Sequence, residues 1–388
     1  MTKVALVTPY YPPKIGGVER YVAQLAQGLA GETDFTPVVI TTRAKGLRTH
    51  RSVEDGIEVI RLGAWFRVSN TPLSPLWPLQ VRRWLRRTEA QIVNAHAPVP
   101  GLGDIAILAS GQRRVVFTYH AGTMHKGAEG SGLADRIIAA YERFVLPRVF
   151  DRCDVPVPVG PSSLAAGKPG AVLITPGVDL ARFTPGETAS RGRELVYVGR
   201  MDRTSSWKGV DVLINALSLL GDIPGLRLKL VGEGDALPDH LALAQRLGVR
   251  DRVDAAGALA GDELVRAMQT AAVLVLPSTT DAECAGTVLM EAMACSTPVV
   301  ASDVGSLAYV VNDGEAGIIV PPADPVRLAA ACRELLTDPE RAAKLGAAGR
   351  ARAEAMFAWP HLVGRYAAVF AGLTLERSTS TKRSTSAR

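Results

Sequence analysis

Cysteine is scarce and scattered. Cys153, Cys284, Cys295 and Cys332 form no C-x-x-C pair, so neither a zinc site nor a disulfide framework is indicated. Incidental or buried thiols in a reducing cytosol are expected. Long apolar runs are missing as well. No stretch approaches the ~20 residues that span a bilayer, and the apolar run in the opening MTKVALVTPYYPP is too short for a signal-peptide core. A cytoplasmic protein is expected, at most peripheral on the inner face of the membrane. The dinucleotide fingerprint G-x-G-x-x-G is absent. Aromatic content of 5% and hydrophobic content of 47% suit an ordinary soluble α/β chain.

What is present is 388 residues, long for one core and natural for two domains. The charge divides unevenly. Residues 1–170 carry 21 Lys+Arg against 13 Asp+Glu, a balance of +8, whereas residues 171–388 carry 23 against 25, a balance of −2. The first half therefore faces something acidic more readily, and nucleic acid, anionic lipid or a phosphorylated acceptor all fit that charge.

Strand-like and helix-like segments alternate from the start. Val4–Val7, Pro37–Thr42, Gly56–Leu62, Ile92–His96, Arg114–His120 and Val155–Val159 read as strands, with helices over Val18–Ala30, 77–90, 101–110 and 132–150. The pattern restarts at Glu194–Gly199 and continues through strands Leu226–Val231, Val253–Ala256, Ala272–Leu276, Pro298–Ala301 and Gly317–Val320. Between and after these come helices over 210–220, 236–247, 261–270, 286–295 and 325–337, then a helical run to about 375. Such alternation predicts parallel sheets covered on both faces, with ligands at the carboxyl ends of the strands. The tail ERSTSTKRSTSAR has no apolar residue beyond Ala387 and is expected to be disordered.

Chemistry-bearing residues fall at those strand ends. Gly16-Gly17 open the first helix, where the backbone can turn tightly and a ligand can approach helix N–H groups. Arg200 follows the strand ending at Gly199, and Lys208 precedes the next helix, so two cations could neutralise a diphosphate. His120 ends a strand and suits a sugar hydroxyl or a proton relay; His96 invites the same argument more weakly. Glu283 and Glu291 flank Gly286 where an apolar strand gives way to a helix. That segment joins carboxylates able to grip sugar or ribose hydroxyls to a helix N-terminus able to receive phosphate. Each residue also has a bland reading, as turn, cap, solvated charge or satisfied core histidine. The segment Trp77–Arg87 sets Arg82, Arg83, Arg86 and Arg87 beside two tryptophans, fitting either a solvated helix face or an anionic membrane surface.

The order Gly16-Gly17, His120, Arg200, Lys208, Glu283-x7-Glu291, with the stretches VGRMDRTSSWKGVDVLINAL, VGEGDALPDHLALAQRLGV and ECAGTVLMEAMACSTPVVASDVG, resembles the family 4 retaining glycosyltransferases of the GT-B fold. The resemblance spans residue 3 to about 370. It implies two Rossmann-like doubly wound domains facing a cleft. Residues 1–170 with 361–388 would bind acceptor, and 171–360 would bind donor, with the last helix returning to the first domain. It further implies a hexosyltransferase-type enzyme that moves a sugar from a nucleotide sugar to a glycan, lipid or small-molecule hydroxyl by front-face displacement. No metal or other cofactor is expected, and nucleic acid is not an expected partner.

By the same resemblance, Arg200 and Lys208 bind the donor diphosphate, Glu291 the ribose hydroxyls and Glu283 the donor sugar. The backbone of Cys284, Ala285, Gly286 and Thr287 lies near phosphate and sugar. Gly16 and Gly17 line the phosphate side, and His120 sits near the transferred sugar. The chain departs from the family pattern at Cys284-Ala285, at Ser306 where a second glycine is usual, and at Ala308-Tyr309 where Pro-Glu is usual. Two other readings of the paired carboxylates remain: a glycoside hydrolase, and a catalytically silent nucleotide-sugar binder.

Overall fold

The computed structural model describes residues 1–14, 16–43, 46–68, 71–97, 101–122, 133–186 and 191–385. In the first part of the chain the strands are β1 (Thr2–Val7), β2 (Phe35–Thr42), β3 (His50–Glu54), β4 (Ile57–Leu62), β5 (Phe66–Val68), β6 (Thr71–Leu73), β7 (Ile92–Ala97), β8 (Arg114–Tyr119) and β9 (Val155–Pro158). The helices among them are α1 (Gly17–Glu32), α2 (Trp77–Arg87), α3 (Leu102–Ala109), α4 (Leu133–Ala140) and α5 (Leu146–Phe150). Seven strands form one sheet in the order β3-β4-β2-β1-β7-β8-β9, and β5–β6 is a separate hairpin. All neighbours in the large sheet run parallel except β3, which pairs antiparallel with β4.

Beyond it the chain builds β10 (Glu194–Val198), α6 (Val210–Ser218), β11 (Arg227–Val231), α7 (Leu237–Arg246), β12 (Val253–Gly257), α8 (Gly261–Thr270) and β13 (Val273–Leu276). There follow α9 (Thr287–Ala294), β14 (Val299–Ser302), α10 (Leu307–Val311), β15 (Ile318–Val320), α11 (Pro325–Thr337), α12 (Pro339–Met356) and α13 (Trp359–Thr385). The second sheet is parallel throughout, in the order β12-β11-β10-β13-β14-β15. Both sheets reverse direction beside their first strand, at β1/β7 and at β10/β13. A crevice opens at the carboxyl ends of the strands at such a reversal.

Burial explains the strand composition. Val4 to Val7 and Val273 to Val275 are all 0% exposed, so helices cover both faces and the strands read as continuous apolar runs rather than alternating ones. The second sheet and its helices share one apolar core from Val178 to Phe357. The first sheet has one core on each face. In one of these, Leu362, Val363, Tyr366 and Phe370 of α13 pack with Val22, Leu25 and Leu29 of α1, so the last helix does return to the first sheet. Tyr366 Oη reaches Tyr21 Oη at 2.9 Å and Thr118 Oγ1 at 2.8 Å.

Sequence reasoning missed β3, the β5–β6 hairpin and α10. Asp55 and Gly56 between β3 and β4 both adopt positive φ, 48° and 79°, as a tight hairpin turn requires. The helix expected over 132–150 is interrupted by a π-turn at Tyr141–Val145 between α4 and α5, and Gly132 lies outside the described residues. The tail differs too, because α13 continues as helix to Thr385. Among the described residues no helix is long and apolar enough to cross a membrane.

Candidate active site

On the second-sheet side, the chain leaving β10 must pass very close to the end of β13. Gly209 has φ 69°, and a Cβ there would stand 2.0 Å from the Pro277 carbonyl oxygen, so only glycine lets the turn approach. The Thr279 N–H donates to the Trp207 carbonyl at 2.8 Å and fastens the two loops. Lys208 is thereby set against Glu283, with Nζ 2.5 Å from Oε2. The same oxygen accepts from Ser278 Oγ at 3.0 Å. Glu283 is buried, and an ionised carboxylate there requires such a partner.

From Glu283 the loop turns into α9 through Gly286, in the left-handed region at φ 51°. Cys284 and Ala285 are buried beneath this loop. Burial and the neighbouring Glu283 push the Cys284 thiol up to about 12, which leaves it an unreactive packing group. Thr287 begins α9, and Glu291 follows one turn later on the same face.

Glu291 does not meet Lys208. Its Oε1 accepts from Arg20 Nη1 at 2.9 Å, across the cleft from α1. Burial raises the Glu291 carboxyl above its ordinary range, and the Arg20 charge opposes that rise. A cleft of about 150 Å³ opens beside the pair, lined by Gly17, Arg20, Tyr21, Arg182, Thr287 and Glu291 among others. Gly17 therefore faces open space, while Gly16 packs against the Glu19 carboxylate. Arg200 is exposed at the end of β10. Its Nη2 donates to Ser205 Oγ at 3.1 Å and its Nε lies 3.3 Å from Asp202 Oδ2, so it is not joined to Lys208 or Glu283.

On the first-sheet side, β7 and β8 run parallel in register and bring His96 and His120 together, Nδ1 to Nε2 at 3.0 Å. The Tyr21 ring stands edge-on to His120, with centroids 4.7 Å apart. Burial pushes the His120 imidazole down to about 3, and His96 lies well below its ordinary value for the same reason.

Contacts between the two halves include a substitution noted in the sequence. Ser306, where a glycine is usual, places its Oγ 2.7 Å from Ser162 Oγ and accepts from the Ser162 N–H at 3.2 Å. The departure is thus a hydrogen-bonded seam between the two sheets' loops.

Sequence reasoning did not single out Arg20, Ser278 or Tyr21. Arg20 was legible in principle, one helical turn after Gly16 and so on the same face of α1; its partner, in α9, was not. Helix α2 also differs from its aromatic-rich appearance. Trp77 is buried and its Nε1 donates to the Gly63 carbonyl at 3.0 Å, so this tryptophan belongs to the core. Arg82, Arg83, Arg86 and Arg87 are exposed beside Leu79.

Two parallel doubly wound sheets with chemistry gathered at their facing strand ends define a GT-B fold. Residues 15–182 match the family described as Glycosyltransferase Family 4, and residues 192–338 match Glycosyl transferases group 1. The chain is 31% identical, over 95% of its length and 97% of the other's, to a GDP-mannose-dependent alpha-(1-6)-phosphatidylinositol monomannoside mannosyltransferase of Mycobacterium tuberculosis. It is 30% identical to a D-inositol 3-phosphate glycosyltransferase of Acidothermus cellulolyticus, over 94% of this chain and 87% of that one. Sucrose-phosphate synthase from Thermosynechococcus elongatus superposes with a TM-score of 0.77 at 23% identity, covering 97% of this chain and all of that one (100%). An Anabaena HepE structure with UDP and glucose gives 0.72 at 18% identity, over 96% and 100% of the two chains. These structural likenesses bear on the fold. The chain belongs to the family 4 glycosyltransferases and is a glycosyltransferase.

Proposed function

We propose that this enzyme transfers a hexose from a nucleoside-diphosphate sugar to an acceptor hydroxyl with retention of anomeric configuration, without a metal ion. The observation that carries the reading is the Lys208–Glu283 pair at the mouth of the second sheet, beside the start of α9. Departure of a nucleoside diphosphate leaves negative charge, and fixed cations and helix N–H groups stabilise it at little reorganisation cost. Lys208 and Arg200 supply the cations, and the backbone from Cys284 to Thr287 supplies donors. Glu283, held by Lys208 and Ser278, accepts from a sugar hydroxyl. Glu291 accepts from the ribose, and Gly17 keeps the phosphate side of α1 open. His120 lies beside the transferred sugar. In a front-face displacement the acceptor hydroxyl attacks on the side from which the diphosphate leaves, and a phosphate oxygen takes its proton.

The named activities of the relatives suggest GDP-mannose as the first donor to test and an inositol-bearing phosphate as the first acceptor class. The +8 balance of residues 1–170 suits such an anion. The exposed arginines of α2 suit an anionic membrane surface that would present a lipid acceptor. The glycoside hydrolase reading is less favoured because Glu283 and Glu291 each carry a cation instead of forming an acid–nucleophile couple.

A thermal-shift series with GDP-, UDP- and ADP-linked sugars identifies the donor, since stabilisation follows affinity for the folded state. With that donor, product anomeric configuration by NMR and activity in EDTA test retention and metal independence. Inverted product, loss of activity in EDTA, or hydrolysis of aryl glycosides without nucleotide would each overturn the corresponding part.

A further inference from the structure

His96 lies near the end of β7 with no exposed surface, whereas His120 is only partly buried as a residue. The two rings lie nearly parallel, 25° apart, and share one hydrogen bond between His96 Nδ1 and His120 Nε2 at 3.0 Å. Tyr21 stands edge-on to both rings, and its own hydroxyl is fixed to Tyr366 Oη and the Ile174 carbonyl. The second nitrogen of His96, Nε2, is buried with no partner among the described residues.

Two neutral imidazoles joined by one hydrogen bond have two proton arrangements. If His120 donates from Nε2, His96 carries its own proton on Nε2, as a buried N–H with no acceptor. If His96 donates from Nδ1, its Nε2 is left as a bare lone pair. The first arrangement buries an N–H with no acceptor, whereas the second keeps the one N–H of His96 hydrogen-bonded and leaves only a lone pair unpaired, so the second is favoured. His120 then accepts at Nε2 and must carry its proton on Nδ1.

We infer that His96 is a positioning residue that holds His120 as the Nδ1–H tautomer, so that His120 meets the transferred sugar as a hydrogen-bond donor and not as a base. The sugar contact rests on the function proposed above; the tautomer does not.

The chain has six histidines, few enough for long-range ¹H–¹⁵N correlation on the full-length protein labelled at histidine, with assignment from the H96N and H120Q variants. Near neutral pH, His120 is expected to show a protonated Nδ1 and a bare Nε2. A protonated Nε2 overturns the inference whatever the enzyme's activity. In H96N an amide N–H can take the place of Nδ1–H, so His120 should keep its tautomer and turnover should stay within ~3-fold of wild type. H96F removes the donor. There His120 should become a mixture of tautomers, and kcat should fall ~10-fold, about the worth of one hydrogen bond, with donor KM little changed. Equal losses in H96N and H96F would make His96 merely structural and sink the positioning role. A shifted tautomer in H96F with unchanged kcat would remove His120 from the sugar while leaving the tautomer assignment standing.

Discussion

Arg20 and Glu291 stand 271 positions apart in the chain, yet a guanidinium nitrogen of one lies 2.9 Å from a carboxylate oxygen of the other. The pair crosses the cleft between the two sheets and gives the buried Glu291 a countercharge. A buried carboxylate without one takes up a proton more readily, and a protonated acid is a poorer acceptor for ribose hydroxyls.

Arg20→Met is therefore expected to raise the Glu291 pKa further. Donor KM in the variant should rise as pH is lowered, beginning at a higher pH than in wild type. Donor KM against pH for both proteins checks this. Parallel profiles would show that Arg20 does not govern the ionisation of Glu291.

Lys208 and Glu283 share one hydrogen bond, so their losses should not add. Lys208→Ala is expected to lower kcat/KM by ~10²–10³-fold, as for other donors to a developing anion. Glu283→Ala should cost a similar factor, and the double variant little more than the worse single one. Arg200 has other partners, so Arg200→Ala should compound with Lys208→Ala. A double-mutant cycle on kcat/KM reads both expectations, and additive losses for Lys208 and Glu283 would separate their roles.

The arginine face of α2 makes a prediction independent of the chemistry. Wild type should sediment with vesicles containing anionic lipid, and replacing Arg82, Arg83, Arg86 and Arg87 with Gln should abolish most of that binding. Each basic side chain near such a surface contributes ~1 kcal/mol, and added salt should weaken the association. Absence of wild-type sedimentation would end the membrane reading.

The paired histidines should make stability fall with acid. The His120 pKa is pushed down to about 3 by burial, whereas the unfolded ring has its ordinary value near 6.5. Between those values the unfolded state binds more protons, so stability is full above pH ~6.5 and declines as pH falls toward 3. By pH 5 the contribution lost from His120 is ~1–2 kcal/mol. Urea unfolding at pH 7 and pH 5 should show a smaller drop for His120→Gln than for wild type.

Much of this architecture was written locally. The apolar runs at Val4–Val7 and Ala272–Leu276 and the helical period of Val18–Ala30 fixed element types, because period and burial are properties of short segments. The Asp55-Gly56 turn was equally local and went unread, which is why β3 was missed. Gly286 and Lys208 were legible as a helix start and a strand-end cation. Their consequences were not, because those depend on which loop approaches which.

The sequence alone determined most of the sheet strands and their covering helices, the strand-end placement of Arg200, Lys208, His120 and Glu283, and the family. The tertiary structure decided the partnerships: Lys208 with Glu283, Glu291 with Arg20, His96 with His120, Ser306 with Ser162, and the arginines rather than Trp77 on the outer face of α2. Each is a contact between segments distant in the chain. Such contacts are set by the register of parallel strands and the packing of one sheet's loops on the other's, which no local pattern encodes.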